Sequence, residues 1–97
     1  MPNQDKLFKV LYEAVSLIAN AQEAQAFFED LCTPAELEAI AGRWSVVPLL
    51  KQGIPYRTIH DQTGVSIATI TRVARCIKHG SGGYDLLYQR QSKQCSK

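Results

Sequence analysis

The sequence predicts an all-α fold, and three observations carry that prediction. Apolar residues recur at spacings of three and four through most of the chain, the signature of one buried helix face. Helix-start signals are frequent, the clearest being Thr33-Pro34-Ala35-Glu36. No stretch alternates as a half-buried strand would, and the apolar run Val46-Val47-Pro48-Leu49-Leu50 is interrupted by its proline.

The 97 residues suit a single domain, 1–97, with a modest core, so oligomerisation is a natural supplement. Hydrophobic residues at 45% and charged residues at 21% argue against wholesale disorder. Asn3 or Asp5 can cap a first helix reaching about Ala19, with Leu7, Val10, Leu11, Ala14, Val15 and Ile18 on one face and Phe8 and Leu17 widening it. Asn20 with Glu23 offers a capping box for a second helix carrying Ala24, Phe27, Phe28 and Leu31. Thr33 then caps a third, Pro34 fits its first position, and Glu36 reaches back. Its buried face is expected to hold Leu37, Ile40, Trp44, Val47 and Leu50. Pro48 predicts a kink or an end near Val47, and Gly53 a C-terminal stop.

Pro55 to His79 reads as two short helices joined at Gly64-Val65-Ser66. Ile59, Val65, Ile67, Ile70, Val73, Ala74 and Ile77 supply inward apolar positions on both helices. Gly64 can take a positive φ in the turn, and Ser66 can cap the second helix. Outward stand Ala68, Thr69, Arg72 and Arg75, with Thr71 and Lys78 on the flanks. This is the outline of a helix-turn-helix, whose second helix enters the DNA major groove. Threonine methyls and hydroxyls can meet base edges, arginine can bind guanine through two hydrogen bonds, and Arg57 on the bracing helix suits a phosphate. The plainer alternative is a helical hairpin with a soluble outer face. After Gly80-Ser81-Gly82-Gly83, Tyr84, Leu87 and Tyr88 suggest a last short helix, and Gln89 to Lys97 is expected to fray.

Charge follows the same division. Through Leu50 three basic residues stand against seven acidic ones, a net of −4, whereas from Lys51 onward eight basic residues stand against two acidic ones, a net of +6. A basic face suits a polyanion, because neutralised phosphates release counterions; it also suits a merely solvated surface. Cys32, Cys76 and Cys95 show no C-x-x-C spacing, and with no signal peptide or long apolar span the expectation is a cytoplasmic chain with free thiols and no membrane contact. His60 and His79 have no companions at ligand spacing, so no metal is expected. No nucleophile, base and orienting group converge, so the chain is not expected to be an enzyme.

Thr33-Pro34, Arg43, Gly53, Gly64 and the hexamer Ile67-Ala68-Thr69-Ile70-Thr71-Arg72, with the AFFEDLCT and GYDL segments, resemble the Trp-repressor-like family, in its YerC/YecD branch, over about Lys6 to Leu87. The resemblance implies an intertwined homodimer built on dimerisation helices at 6–52, a helix-turn-helix at 55–79 and a C-terminal helix and tail at 84–97. It implies a transcriptional regulator, a repressor, that reads a palindromic operator in double-stranded DNA with the 66–79 helix. The DNA-binding set is then Arg57, Ser66, Ile67, Ala68, Thr69, Thr71, Arg72, Arg75 and Lys78. The alternative is a protein-interaction module that keeps the fold without specific DNA readout.

A corepressor pocket is also implied, at Thr33, Arg43, Arg72, Val73 and Cys76, where the repressor clamps an indole between two arginines. Val73 replaces a glycine of that pocket wall and Cys76 a serine that holds the ligand amino group, so a steric and a hydrogen-bonding objection stand against L-tryptophan. The expectation is accordingly no cofactor, with Arg43 free for a helix carboxylate and Arg72 for a phosphate. Trp44 is expected in the core. Cys76 reads as a small hydrophobe, with a redox role as the alternative because Arg75 and His79 are near in sequence.

Overall fold

The computed structural model describes residues 4–95, with side chains through Gln94. Within them lie six helices and no strand: α1 Gln4–Val15, α2 Ala21–Leu31, α3 Pro34–Lys51, α4 Tyr56–Thr63, α5 Ile67–His79 and α6 Gly83–Cys95. The chain divides into two compact units, Met1–Leu37 and Glu38–Lys97. The division falls inside α3 and not ahead of the helix-turn-helix, because Val46 and Val47 of α3 share their burial with α4 and α5.

In the first unit α1 ends at Val15, four residues before the expected Ala19. The backbone tightens there to three-residue hydrogen bonds, Leu17 N–H to the Ala14 carbonyl at 3.0 Å and Ile18 N–H to that of Val15 at 3.1 Å. The Ser16 hydroxyl donates to the Glu13 carbonyl at 2.6 Å, using a serine's ability to compete for backbone acceptors. Asp5 lies within α1, and Asn3 lies outside the described residues. Asn20 caps α2 as expected, its side-chain oxygen accepting from Glu23 N–H at 2.9 Å. Glu23 reaches back one residue further than a standard box would, to Ala19 N–H at 2.9 Å. The Phe27 and Phe28 rings meet edge to face with centroids 5.5 Å apart. The Thr33 box is complete: Thr33 Oγ1 accepts from Glu36 N–H at 3.1 Å, and Glu36 Oε1 accepts from Thr33 N–H at 2.8 Å.

In the second unit α3 runs through Pro48 to Lys51, so of the kink or end expected near Val47 the end is not found. Proline removes one donor but keeps its carbonyl in the ladder, which accepts from Gln52 N–H at 3.1 Å. The stop at Gly53 is a Schellman motif. Ile54 N–H bonds the Leu49 carbonyl at 3.1 Å, Gly53 N–H bonds that of Leu50 at 3.0 Å, and Gly53 has a φ of 77°. Leu49 and Ile54, on either side of that cap, are both half-buried against the core.

That core is Val46, Val47, Ile59, Ile70 and Val73, all at 0% exposure. Trp44, Leu50, Val65, Ile77, Tyr84 and Tyr88 surround it. The expected α3 face is thus amended: Val46 joins Val47 inside, Trp44 and Leu50 are half-buried, and Ile40 is 41% exposed. The α6 helix returns to the same core. Tyr84 stacks on Trp44 with ring centroids 6.3 Å apart and 24° between planes, Asp85 pairs with Lys51, and the Lys51 ammonium lies 5.9 Å from the Tyr88 ring centroid. α6 is longer than the short helix expected: Gln89–Cys95 is helical instead of frayed, while Ser96 and Lys97 lie outside the described residues.

Replacing Thr33 by alanine removes a cap whose loss typically costs about 1 kcal/mol. Thr33→Ala is therefore expected to lower unfolding free energy by that amount, measured by urea titration followed by circular dichroism.

Candidate nucleic-acid interface

The candidate site is built on the α4–turn–α5 unit. The α4 helix ends at Gly64, which adopts the left-handed conformation with φ 76° and donates its N–H to the His60 carbonyl at 2.8 Å. A side chain there would meet the usual left-handed penalty, which is why glycine was legible as the turn residue. Val65 follows and rests half-buried; a Cβ on Gly42 of α3 would lie 3.5 Å from its Cγ2, an ordinary contact. Ser66 caps α5 as expected, accepting from Thr69 N–H at 3.1 Å.

Two side chains that sequence reasoning did not place complete the turn. Thr63 donates its hydroxyl to the Ile59 carbonyl at 2.7 Å and accepts from Val65 N–H at 3.1 Å. His60 Nδ1 lies 2.8 Å from the Val65 carbonyl. The available signal was a threonine and a histidine in the last turn of a helix immediately before a glycine, positions from which polar side chains can reach a turn's unpaired backbone groups.

With Ile70 and Val73 buried, the geometry of a helix with 3.6 residues per turn directs the opposite side of α5 outward. Ala68, Thr71, Arg72, Arg75 and Lys78 are exposed there, and Thr69 is half-buried at the edge. Arg57 is exposed near the start of α4. Ile67, counted both among the inward positions and in the DNA-binding set, is 43% exposed, so its side chain stands at the margin of the core. The hydroxyls differ in what they can offer. The Thr71 hydroxyl donates to the Ile67 carbonyl at 2.8 Å, which leaves its oxygen as an acceptor on an exposed residue. Thr69 Oγ1 accepts from the Ser66 hydroxyl at 3.0 Å and keeps its own proton to donate. The exposed side of α5 therefore carries two guanidinium groups, an ammonium, a hydroxyl donor, a hydroxyl acceptor and small apolar surfaces. That inventory can neutralise phosphates and meet the edges of bases.

The residues aligned with a corepressor pocket are distributed differently. Val73 is fully buried with Val46, Val47, Ile59 and Ile70, so its side chain belongs to the core. Arg43 and Cys76 are half-buried, and Arg72 is exposed. The Thr33 hydroxyl oxygen accepts from the Glu36 N–H. Two grooves of this unit lie elsewhere. One of about 320 Å³ is bordered by Leu50, Ile54, Tyr56, Ala74, Ile77 and Lys78, the other of about 340 Å³ by Trp44, Leu87, Arg90, Gln91 and Gln94, and none of the implied pocket residues lines either. Trp44 is half-buried against the core, stacked on Tyr84.

Known proteins share this fold. The family model described as Trp repressor protein matches residues 6–92. The uncharacterised protein YerC of Bacillus subtilis is 36% identical over 80 residues, which span 82% of this chain and 77% of YerC. Among solved structures, a TrpR-like protein from Eubacterium eligens superposes with a TM-score of 0.83 at 34% identity, covering 90% of each chain. A Staphylococcus aureus protein provisionally assigned as a Trp repressor gives 0.83 at 33% identity, covering 95% of this chain and 96% of its own. The family match spans both compact units and the whole of the turn and α5, and the chain accordingly belongs to the Trp repressor family.

Proposed function

We propose that the protein is a sequence-specific DNA-binding transcriptional regulator, a repressor, that reads a palindromic operator with the 66–79 helix. The observation that carries this reading is the division of α5: Ile70 and Val73 anchor one side in the core while Arg72, Arg75, Thr71 and Lys78 stand exposed on the other. Placed directly after a capped turn, that cationic, hydroxyl-bearing outer face suits a polyanionic duplex. Ser66, Ile67, Ala68, Thr69, Thr71 and Arg72 approach the major groove, and Arg57, Arg75 and Lys78 meet the backbone. The net of +6 from Lys51 onward supports the same polyanionic partner. A protein-interaction module remains the alternative to be separated by experiment.

The working unit is a homodimer in which the N-terminal helices of both chains share a core. What supports it is that neither α1 nor α2 contains a buried residue, while Leu17 is 81% exposed and Tyr12 66%. Apolar side chains at that density recover stability only when covered, at about 25 cal/mol per Å². Dimer symmetry supports a palindromic site. The burial of Val73 supports a reader without the indole switch, since a ring could enter there only by displacing core. No helix among the described residues is long and apolar enough to cross a membrane. A DNA-binding role supports a cytoplasmic location.

Selection from a random duplex pool at stated salt is expected to return an enriched palindrome, and an unenriched pool would favour the interaction module. On the selected site, Arg72→Ala or Thr69→Ala should each cost about 1 to 3 kcal/mol and relax preference at particular base pairs. Sedimentation equilibrium at micromolar concentration should give the dimer mass; a folded monomer would remove the shared core. Calorimetry with L-tryptophan is expected to show no saturable heat, and saturable binding would overturn the argument from Val73.

A further inference from the structure

Val65 lies between two helices, so neither its N–H nor its carbonyl has a partner in a helical ladder. Both groups are nonetheless bonded, and both by side chains from the last turn of α4: Thr63 Oγ1 accepts from the N–H at 3.1 Å, and His60 Nδ1 stands 2.8 Å from the carbonyl. A carbonyl oxygen can only accept, so Nδ1 must carry the proton. His60 also lends its own backbone carbonyl to Gly64 N–H at 2.8 Å, so one residue grips the turn on both sides of the left-handed glycine. The next residue is Ser66, the cap that sets where α5 begins. The path of the chain into the outward-facing helix is thereby tied to α4 at Gly64 and Val65 through His60.

We infer that His60 is a positioning residue for DNA reading: through the Nδ1–H bond to the Val65 carbonyl it sets the angle of α5 against α4, and so the sequence preference, without touching DNA itself. The inference rests on the DNA-reading proposal above. Recognition by several side chains on one rigid helix tolerates placement errors of well under an ångström, so a change in helix angle shifts every base contact together while leaving charge, and hence non-specific attraction, in place.

The test compares wild type, His60→Ala and His60→Asn in three measurements on the full chain. These are affinity for the selected operator, affinity for a random duplex at the same salt, and residual dipolar couplings of the α4 and α5 amides in the free protein. Alanine is the better helix former, so His60→Ala keeps α4 while losing the ring. Asparagine keeps an N–H donor at the δ position. The expected result is roughly a tenfold loss of operator affinity in His60→Ala, the worth of one hydrogen bond, with random-duplex affinity unchanged and couplings reporting a rotated α5. His60→Asn should restore all three toward wild type. Unchanged operator affinity and couplings in His60→Ala would overturn the inference. An equal loss on operator and random DNA would also overturn it, because His60 would then act on the backbone or on the fold as a whole. If wild type selects no DNA motif, the DNA-reading proposal fails by that result alone. The couplings then judge the helix angle separately: a rotation reversed by asparagine upholds the positioning role, and no rotation ends it.

Discussion

The structure of the C-terminal unit depends on five side chains, Val46, Val47, Ile59, Ile70 and Val73, which contact water nowhere. All are β-branched, with χ1 held to few rotamers, so they make a small core with a defined shape. One core residue comes from α4, two from α3 and two from α5, and these contributions orient the three helices at once. The outward face of α5 is the complement of that burial. Arg72 and Arg75 point away from the core because Ile70 and Val73 cannot.

Polar satisfaction does the finer work. Hydrogen bonds mark the helix ends around the turn: Gly53 and Ile54 close α3, Gly64 closes α4, and Ser66 opens α5. Between the last two, Thr63 and His60 serve the one residue that no helix serves. The two sets of interactions are different in kind. Burial decides which face of α5 looks outward, whereas directional hydrogen bonds decide where the helix starts and how it leaves the turn. Val73 belongs to the first set, fully buried with Val46, Val47, Ile59 and Ile70.

The parts of the fold legible in the sequence were those governed by neighbours along the chain. Thr33 and Glu36, Asn20, Gly64, Ser66 and the spacing of Ile70, Val73 and Ile77 announced their roles because capping and helical periodicity act over three or four residues. Errors arose where a local rule met competition. Ser16 and the tightened turn end α1 early, α3 continues through Pro48 beside the buried Val46 and Val47, and α6 stays helical past Gln89, beyond the contacts that Tyr84 and Asp85 make with Trp44 and Lys51. The candidate reading face was legible because it is the polar side of one amphipathic helix. The turn contacts of His60 were not, because a histidine's partner depends on where the ring lies in space.

By itself, then, the sequence determined the helical class, the positions of the caps and the turn glycine, and the apolar and basic sides of α5. All of these follow from periodicity and from backbone conformation. Tertiary structure decided that Val46 is core and Ile40 is not, that Pro48 does not end α3, that Val73 fills space instead of bordering it, and that His60 holds the Val65 carbonyl. These depend on which surfaces meet when α3, α4, α5 and α6 converge, and burial and hydrogen-bond partners are properties of that meeting, which no single stretch of chain contains.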